Sequence, residues 1–289
     1  MKQRVITALS LLALLIVVVW RIYTPLFVTV VAIFAAVGAN EIMKCAKVKN
    51  KFILYVGTAA AFLVPFFANP AVLEPYVSAE QWGSIVNFVP KSVYLIVLII
   101  AFFLAMLKDY KNTRFEQVAI SIVASIFVPF CFSVLVILRD IAGYKEQFGV
   151  YLIFYGLICA LTTDIGAQLM GMAFGKHKMS PNISPKKTVE GAIGGIVFDV
   201  VCNLGAILLY NLFAEKAMDS RAVIILMCAA PFIGFLSMMG DLTASVLKRN
   251  FDVKDFGKIF PGHGGVMDRF DSSMFALPLT YCVALFILR

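Results

Sequence analysis

GDLTASVLKRNFDVKDFGKIFPGHGGVMDRFDSS, residues 240–273, is the longest polar stretch in a chain of 289 residues that is otherwise largely apolar. It carries five acids (Asp241, Asp252, Asp255, Asp268, Asp271), five bases (Lys248, Arg249, Lys254, Lys258, Arg269) and His263, one of only two histidines. One apolar run, 222–240, ends where it begins, and another, 273–288, begins where it ends. A polar segment held between two such runs reads as a connection lying at a membrane surface. That reading decides the fold class.

The totals agree with it. The chain is 61% hydrophobic and 15% charged, with a mean hydropathy of +0.92. Soluble domains are nearer half apolar and a quarter charged, so one water-soluble globule cannot hide this much apolar surface. The runs have helical length, and the short alternating segments of a β-barrel are absent. The sequence therefore predicts an all-α polytopic integral membrane protein embedded in a lipid bilayer. A net charge of +8 suits anionic lipid or a phosphorylated substrate. No basic region stands free of the apolar runs, which argues against nucleic acid as a partner. Six scattered cysteines show no metal-ligand spacing and read as small buried hydrophobes.

Outward from the opening stretch, nine apolar segments can be traced: 5–20, 25–40, 52–68, 92–107, 118–138, 150–174, 191–213, 222–240 and 273–288. Lys2 and Arg4 precede the first; no small-residue cleavage site follows it, so it reads as a retained helix and not a signal peptide. Alternating nine spans from a cytoplasmic N-terminus puts most of the 25 lysines and arginines on the inside, as membrane proteins prefer. The C-terminus then lies outside, and residues 240–272 and 175–190 form cytoplasmic loops. Residues 1–150 read as a scaffold of about five spans, and 151–289 as a catalytic region of about four. The segment 69–91 reads as a long outside connection, with Tyr76, Trp82 and Phe88 as interface residues. Pro129 should kink its helix.

Polar residues inside the apolar runs mark the working parts. Asp164 sits in LTTDIGAQLMG, where a carboxylate is costly and normally faces a polar cavity or a partner. Asp199 has Asn203 four residues on, and a structural role suits it best. Gly171/Gly175 and Gly191/Gly195 have the spacing of close helix packing. In the loop 175–190, Lys186 and Lys187 stand at the start of a helix, where ammonium groups and free backbone N–H favour phosphate. If the run 222–240 continues as helix, Asp241, Ser245 and Lys248 share one stripe with Arg249 beside it. Two glycines after His263 let backbone N–H groups of Gly264 and Gly265 form an anion nest. Asp268 and Asp271, three apart, would put two carboxylates on one side of a helix. Such a pair suits Mg²⁺, which takes one or two carboxylates plus phosphates and water; Arg269 can grip phosphate bidentately.

The order Ser245-x-x-Lys248-Arg249, Lys254-Asp255, Pro261-Gly262-His263-Gly264-Gly265, Asp268-Arg269-x-Asp271 resembles the signature of the phosphatidate cytidylyltransferases, the CDP-diacylglycerol synthases. Ser184-Pro185-Lys186-Lys187-Thr188 with Glu190-Gly191, and Asp164, Gly166-Ala167 and Gly175-Lys176, resemble two further blocks of that family. Ile165 stands where the family usually has Ser or Thr, and Gln168 where an aromatic is common. The resemblance implies that CTP and phosphatidate give CDP-diacylglycerol and pyrophosphate for phospholipid biosynthesis. It implies a magnesium site on Asp241, Asp268 and Asp271, with room for a second metal ion. Lys248, Arg249 and Arg269 would hold the triphosphate, and Lys186 and Lys187 the lipid phosphate. Asp164, Thr188, Ser245, Lys254, Asp255, His263, Gly264 and Gly265 would complete the substrate site. A multi-pass enzyme of the cell inner membrane is implied, working at the cytoplasmic face, with a homodimer within the family's range. The rivals are a CTP-dependent lipid kinase and an ion-coupled transporter built on Asp164 and Asp199.

Overall fold

The computed structural model describes residues 2–73 and 76–289; the side chains of residues 2–5 and 8, Lys2 and Arg4 among them, lie outside the description. Every one of the nine apolar segments falls on a helix. They are α1 (Lys2–Trp20), α2 (Pro25–Cys45), α3 (Lys51–Leu63), α5 (Lys91–Lys108), α6 (Phe115–Asp140), α7 (Gln147–Phe174), α8 (Val189–Phe213), α9 (Ser220–Asn250) and α11 (Ser273–Ile287). Short helices α4 (Ala79–Asn87) and α10 (Met267–Phe270) complete the set. Among the described residues, six helices (α2, α5, α6, α7, α8 and α9) have the length and composition to cross a membrane, and Leu9–Trp20, Lys51–Phe67 and Ser273–Ile287 are shorter apolar helices. Much of their surface is large and apolar: Leu104, Val201, Leu212 and Phe232 are all exposed, as helices bathed in lipid require. The chain is a multi-pass membrane protein.

The chain forms two compact units, interleaved in sequence. The first comprises the chain up to Ile137 together with Phe251–Arg269; the second comprises Leu138–Asn250 and Phe270–Arg289. The middle of the opening stretch thus groups with the N-terminal helices.

In the first unit α2 is the central element. Pro25 starts it, where a missing N–H costs nothing. Its Val28, Ala32, Ala35 and Ala39 are fully buried, the small face that lets neighbours approach. Asn50 caps α3 by accepting from the amides of Phe52 (3.1 Å) and Ile53 (3.3 Å). At Gly57 of α3, a Cβ would meet Ser125 Oγ of α6 at 2.5 Å, Met43 Sδ of α2 at 3.1 Å and Phe102 of α5 at 3.2 Å, so four helices meet at one residue without a side chain. Helix α6 runs unbroken through Pro129. The connection 69–91 contains α4, and Trp82 Nε1 donates to the Phe66 carbonyl (3.0 Å); Tyr76 and Phe88 are exposed.

In the second unit α7 packs on α8, α9 and α11. Gly195 lies so near α7 that a Cβ would stand 2.6 Å from the Thr163 carbonyl and 2.9 Å from the Ala167 amide; at Gly191 it would stand 2.7 Å from the Ala167 carbonyl and 3.1 Å from Gly171 Cα. The four-residue glycine spacing of α8 is therefore a packing device; Gly175 lies just past the end of α7, where it caps the helix. Asp199 is fully buried. Its Oδ1 accepts from Thr162 Oγ1 and from Asn203 Nδ2, both at 2.7 Å, which ties α8 to α7 as a structural role would. The all-α expectation needs one amendment. Residues 175–190 contain an antiparallel hairpin, β1 (Lys178–Ser180) and β2 (Ser184–Thr188), because Pro181 and Pro185 bar helix.

Candidate active site

In the second unit three pieces of chain meet. Helix α9 does continue past Gly240 to Asn250, so Asp241, Ser245 and Lys248 lie on one stripe. Gly240 makes the approach to the start of α11 close: a Cβ there would stand 2.9 Å from the Asp271 carbonyl and 2.8 Å from the Phe275 ring. Lys248 Nζ accordingly sits 3.8 Å from Asp271 Oδ2, with both side chains about nine-tenths buried or nearly so (15% and 13% exposed). Strand β2 supplies Lys187, whose Nζ pairs with Asp241 Oδ2 at 2.5 Å. Lys186, its neighbour on the strand, is exposed, as is Pro185, while Lys187 and Thr188 are more covered. β2 ends in Thr188, buried, whose Oγ1 accepts from the Gly191 amide (3.2 Å) and caps α8. α7 brings Asp164, whose Oδ2 accepts from Ser272 Oγ at 2.6 Å. It lies within electrostatic reach of Asp241 and Lys187.

The cluster is thus three carboxylates (Asp164, Asp241, Asp271) among two ammonium groups (Lys187, Lys248). Burial pushes the Asp271 carboxyl up to about 7, helped by Asp241 and more weakly by Asp164; Lys248 and the Ser272 amide pull it back. Ser272 N donates to Asp271 Oδ1 (2.9 Å). Among the described residues, no three Asp, Glu, His or Cys side chains close into a metal cage. The arrangement still fits Mg²⁺. Hard oxygen ligands are in excess of the local cations, and Mg²⁺ needs only one or two carboxylates when phosphates fill its other positions. Ser245 is partly buried on the same stripe and Arg249 is exposed beyond it. Ile165 and Gln168 are both exposed, so the two departures from the family pattern fall on the outer side of α7.

The rest of the stretch, Phe251–Arg269, is built within the first unit. Phe260 N donates to the Gly264 carbonyl and His263 N to the Phe260 carbonyl, both at 2.9 Å. Gly262 (φ 79°) and Gly264 (φ 86°) occupy the left-handed region that this turn demands. His263 is partly buried, and its Nδ1 has no hydrogen-bond partner. The helix between Asp268 and Asp271 is interrupted: α10 ends at Phe270, and Asp271–Ser272 form a turn before α11. The expected single helical face for the two carboxylates is therefore not formed. Asp268 Oδ2 instead accepts from the amides of Phe256 (2.8 Å) and Gly265 (3.0 Å). Lys254, Asp255 and Arg269 are exposed.

One residue of this segment's framework escaped the sequence reading. Glu41, in the last turns of α2 and 7% exposed, accepts from Val266 N through Oε1 (3.1 Å) and from Met267 N through Oε2 (3.0 Å). The signal was present, since a lone acid among the apolar residues of GANEIMKC is costly without a partner. The first five apolar segments are thus more than a scaffold. The amides after His263 are also less available to a ligand than expected: those of Gly265, Val266 and Met267 already serve Asp268 and Glu41.

Comparison with known proteins shows the family. Residues 2–287 match the model of the cytidylyltransferase family. A phosphatidate cytidylyltransferase of Bacillus subtilis (strain 168) is 32% identical over 284 residues, covering 97% of this chain and 96% of the relative. Namesakes in Staphylococcus aureus (strain COL) and Staphylococcus haemolyticus are 45% and 41% identical over 131 residues, a match that spans about half their length (48%). The chain belongs to the cytidylyltransferase family.

Proposed function

We propose that the protein is a CTP:phosphatidate cytidylyltransferase, a membrane nucleotidyltransferase forming CDP-diacylglycerol and pyrophosphate for phospholipid biosynthesis. The observation that carries this is the convergence of β2, α9 and the turn before α11. It gathers Lys187, Lys248, Asp164, Asp241 and Asp271 beside the α8 N-terminus. Carboxylates interleaved with ammonium groups suit a metal-bound triphosphate better than either sign alone.

In this reading Asp241 and Asp271 would hold Mg²⁺, which when bound would supply positive charge to the triphosphate. Lys248 and Arg249 hold phosphate oxygens of CTP; Arg269 is a further base suited to phosphate. Lys187 moves between Asp241 in the resting protein and a substrate phosphate, whose charge is the stronger attraction. A phosphate oxygen of phosphatidate attacks the α-phosphorus of CTP, and the bond to the β,γ-pyrophosphate breaks. The nucleophile is ionised at neutral pH, so no general base is needed. Positioning and charge neutralisation supply the acceleration. Asp268 contributes by holding its own segment in shape.

The same reading extends to topology. The nine apolar helices make nine spans, with the N-terminus and the hairpin cytoplasmic and the C-terminus outside; the lysine and arginine distribution supports this. Lipid phosphate and cytosolic CTP would then meet at the inner face of the cell membrane. Asp164 and Asp199 are both engaged, by Ser272 and by Thr162 with Asn203, which weakens the transporter alternative.

The test uses purified protein in detergent with CTP, phosphatidate and Mg²⁺. The expected products are CDP-lipid and pyrophosphate, and both should vanish with EDTA. Release of CDP in place of pyrophosphate would identify a lipid kinase instead.

A further inference from the structure

We infer that Glu41 is a positioning residue for the reaction: its carboxylate occupies the backbone anion nest of the 256–268 segment and holds that segment ready for CTP. The inference rests on the function proposed above. Three consecutive amides, those of Gly265, Val266 and Met267, point at carboxylate oxygens, two of them at Glu41. Consecutive N–H groups of this kind are what a protein usually offers to an external phosphate. Here the anion comes from α2, more than two hundred residues away in sequence.

The fit around it is tight. Gly257 and Gly265 both press on the Glu41 carboxylate, and neither has room for a Cβ. Glycine at these positions serves close approach, since neither residue has a positive φ. Two further ties hold the segment to the same unit: Cys45 Sγ to the Phe256 carbonyl (3.1 Å) and Thr7 Oγ1 to the Pro261 carbonyl (3.2 Å). Both are neutral, and each fixes a carbonyl. The amides of Gly265, Val266 and Met267 donate to Asp268 and Glu41, and Glu41 reaches them from outside the segment. A carboxylate accepting two amide bonds in a buried place exceeds neutral ties in strength. It also fills the nest, so that what the segment can offer a phosphate is side chains and not these amides.

Glu41→Gln keeps the shape but loses the charge and one acceptor. It should raise KM for CTP by about tenfold or more, the scale of a lost charged hydrogen bond. KM for phosphatidate and the melting temperature should stay near those of the parent. Glu41→Ala empties the nest; formate or acetate should then restore turnover in a dose-dependent way, and should not affect the parent protein. Amide hydrogen exchange gives a readout independent of activity: protection at residues 265–267 should fall in both variants while that of α7 and α8 is unchanged. The proposal is overturned if Glu41→Gln leaves KM for CTP unaltered. It is equally overturned if both KM values rise together while the melting temperature falls, as loss of a purely architectural residue would produce. Should the parent protein make no CDP-lipid, the function proposed above fails. Unchanged exchange at 265–267 in the variants would instead sink the role of Glu41 alone.

Discussion

Asp271 is asked to be ionised in a place that resists it. Burial and Asp241 push its carboxyl up, to about 7, with Lys248 only partly offsetting them. The folded value lies above the unfolded one of about 4, so its contribution favours folding at low pH and is lost as pH rises through about 7. A bound cation reverses this, since only the carboxylate is a ligand. Thermal unfolding with and without Mg²⁺ should therefore show a larger Mg²⁺ stabilisation at pH 8 than at pH 6, and Asp271→Asn should abolish the difference. The same variant should lose about a hundredfold or more in turnover, as removal of transition-state charge stabilisation does, while expressing normally. Lys186 and Lys187 separate in the same way. Lys187→Ala should lower kcat/KM by about tenfold or more through loss of its charged partner, whereas Lys186→Ala should stay within about threefold, being a rim charge. A steady-state assay of the pair decides it; equal losses would remove the strand's directionality from the argument. The sequence placed all these residue types on one polar stretch and one basic loop. Which of two adjacent lysines turns inward was not legible, because nothing but strand pairing sets it.

At the scale of elements, helices were legible because lipid demands long apolar runs, and their extents follow the runs closely. Asp241 continues α9 as its spacing suggests. Gly191 and Gly195, four apart on α8, forecast a close helix pair, and there a Cβ at Gly195 would stand 2.6 Å from the Thr163 carbonyl. Gly195→Ala should cost about 1–3 kcal/mol of stability, the range for overpacking, read as a lower melting temperature in detergent. Gly205, also in α8, has nothing within 4 Å of a new Cβ; alanine there should be neutral or stabilise by roughly 0.5–1 kcal/mol. What escaped was irregular. The hairpin has strands of 3 and 5 residues, too short for periodicity to declare itself. The break between Asp268 and Asp271 was hidden because an acid-rich helix start and an acid-rich turn have the same composition. Asp268 turned out to face amides, a choice settled by the neighbouring chain and not by its spacing to Asp271.

For the molecule as a whole, the sequence suggested an N-terminal half and a catalytic half in succession. The chain instead interleaves two units, with Phe251–Arg269 belonging to the first and its flanks to the second. Composition cannot reveal this, since both units are apolar helices and the deciding ties are single polar atoms such as Glu41 and Cys45. The interleaving bears on biogenesis. Glu41 enters the bilayer with α2, but the amide of Val266 lies 225 residues further on. At a translation rate of about 5–20 residues per second, that partner leaves the ribosome roughly 10–45 s later. In the interval a nascent chain carries an acid near the end of a hydrophobic helix with nothing to accept from. The ties that engage Glu41 can form only after the penultimate loop has been made.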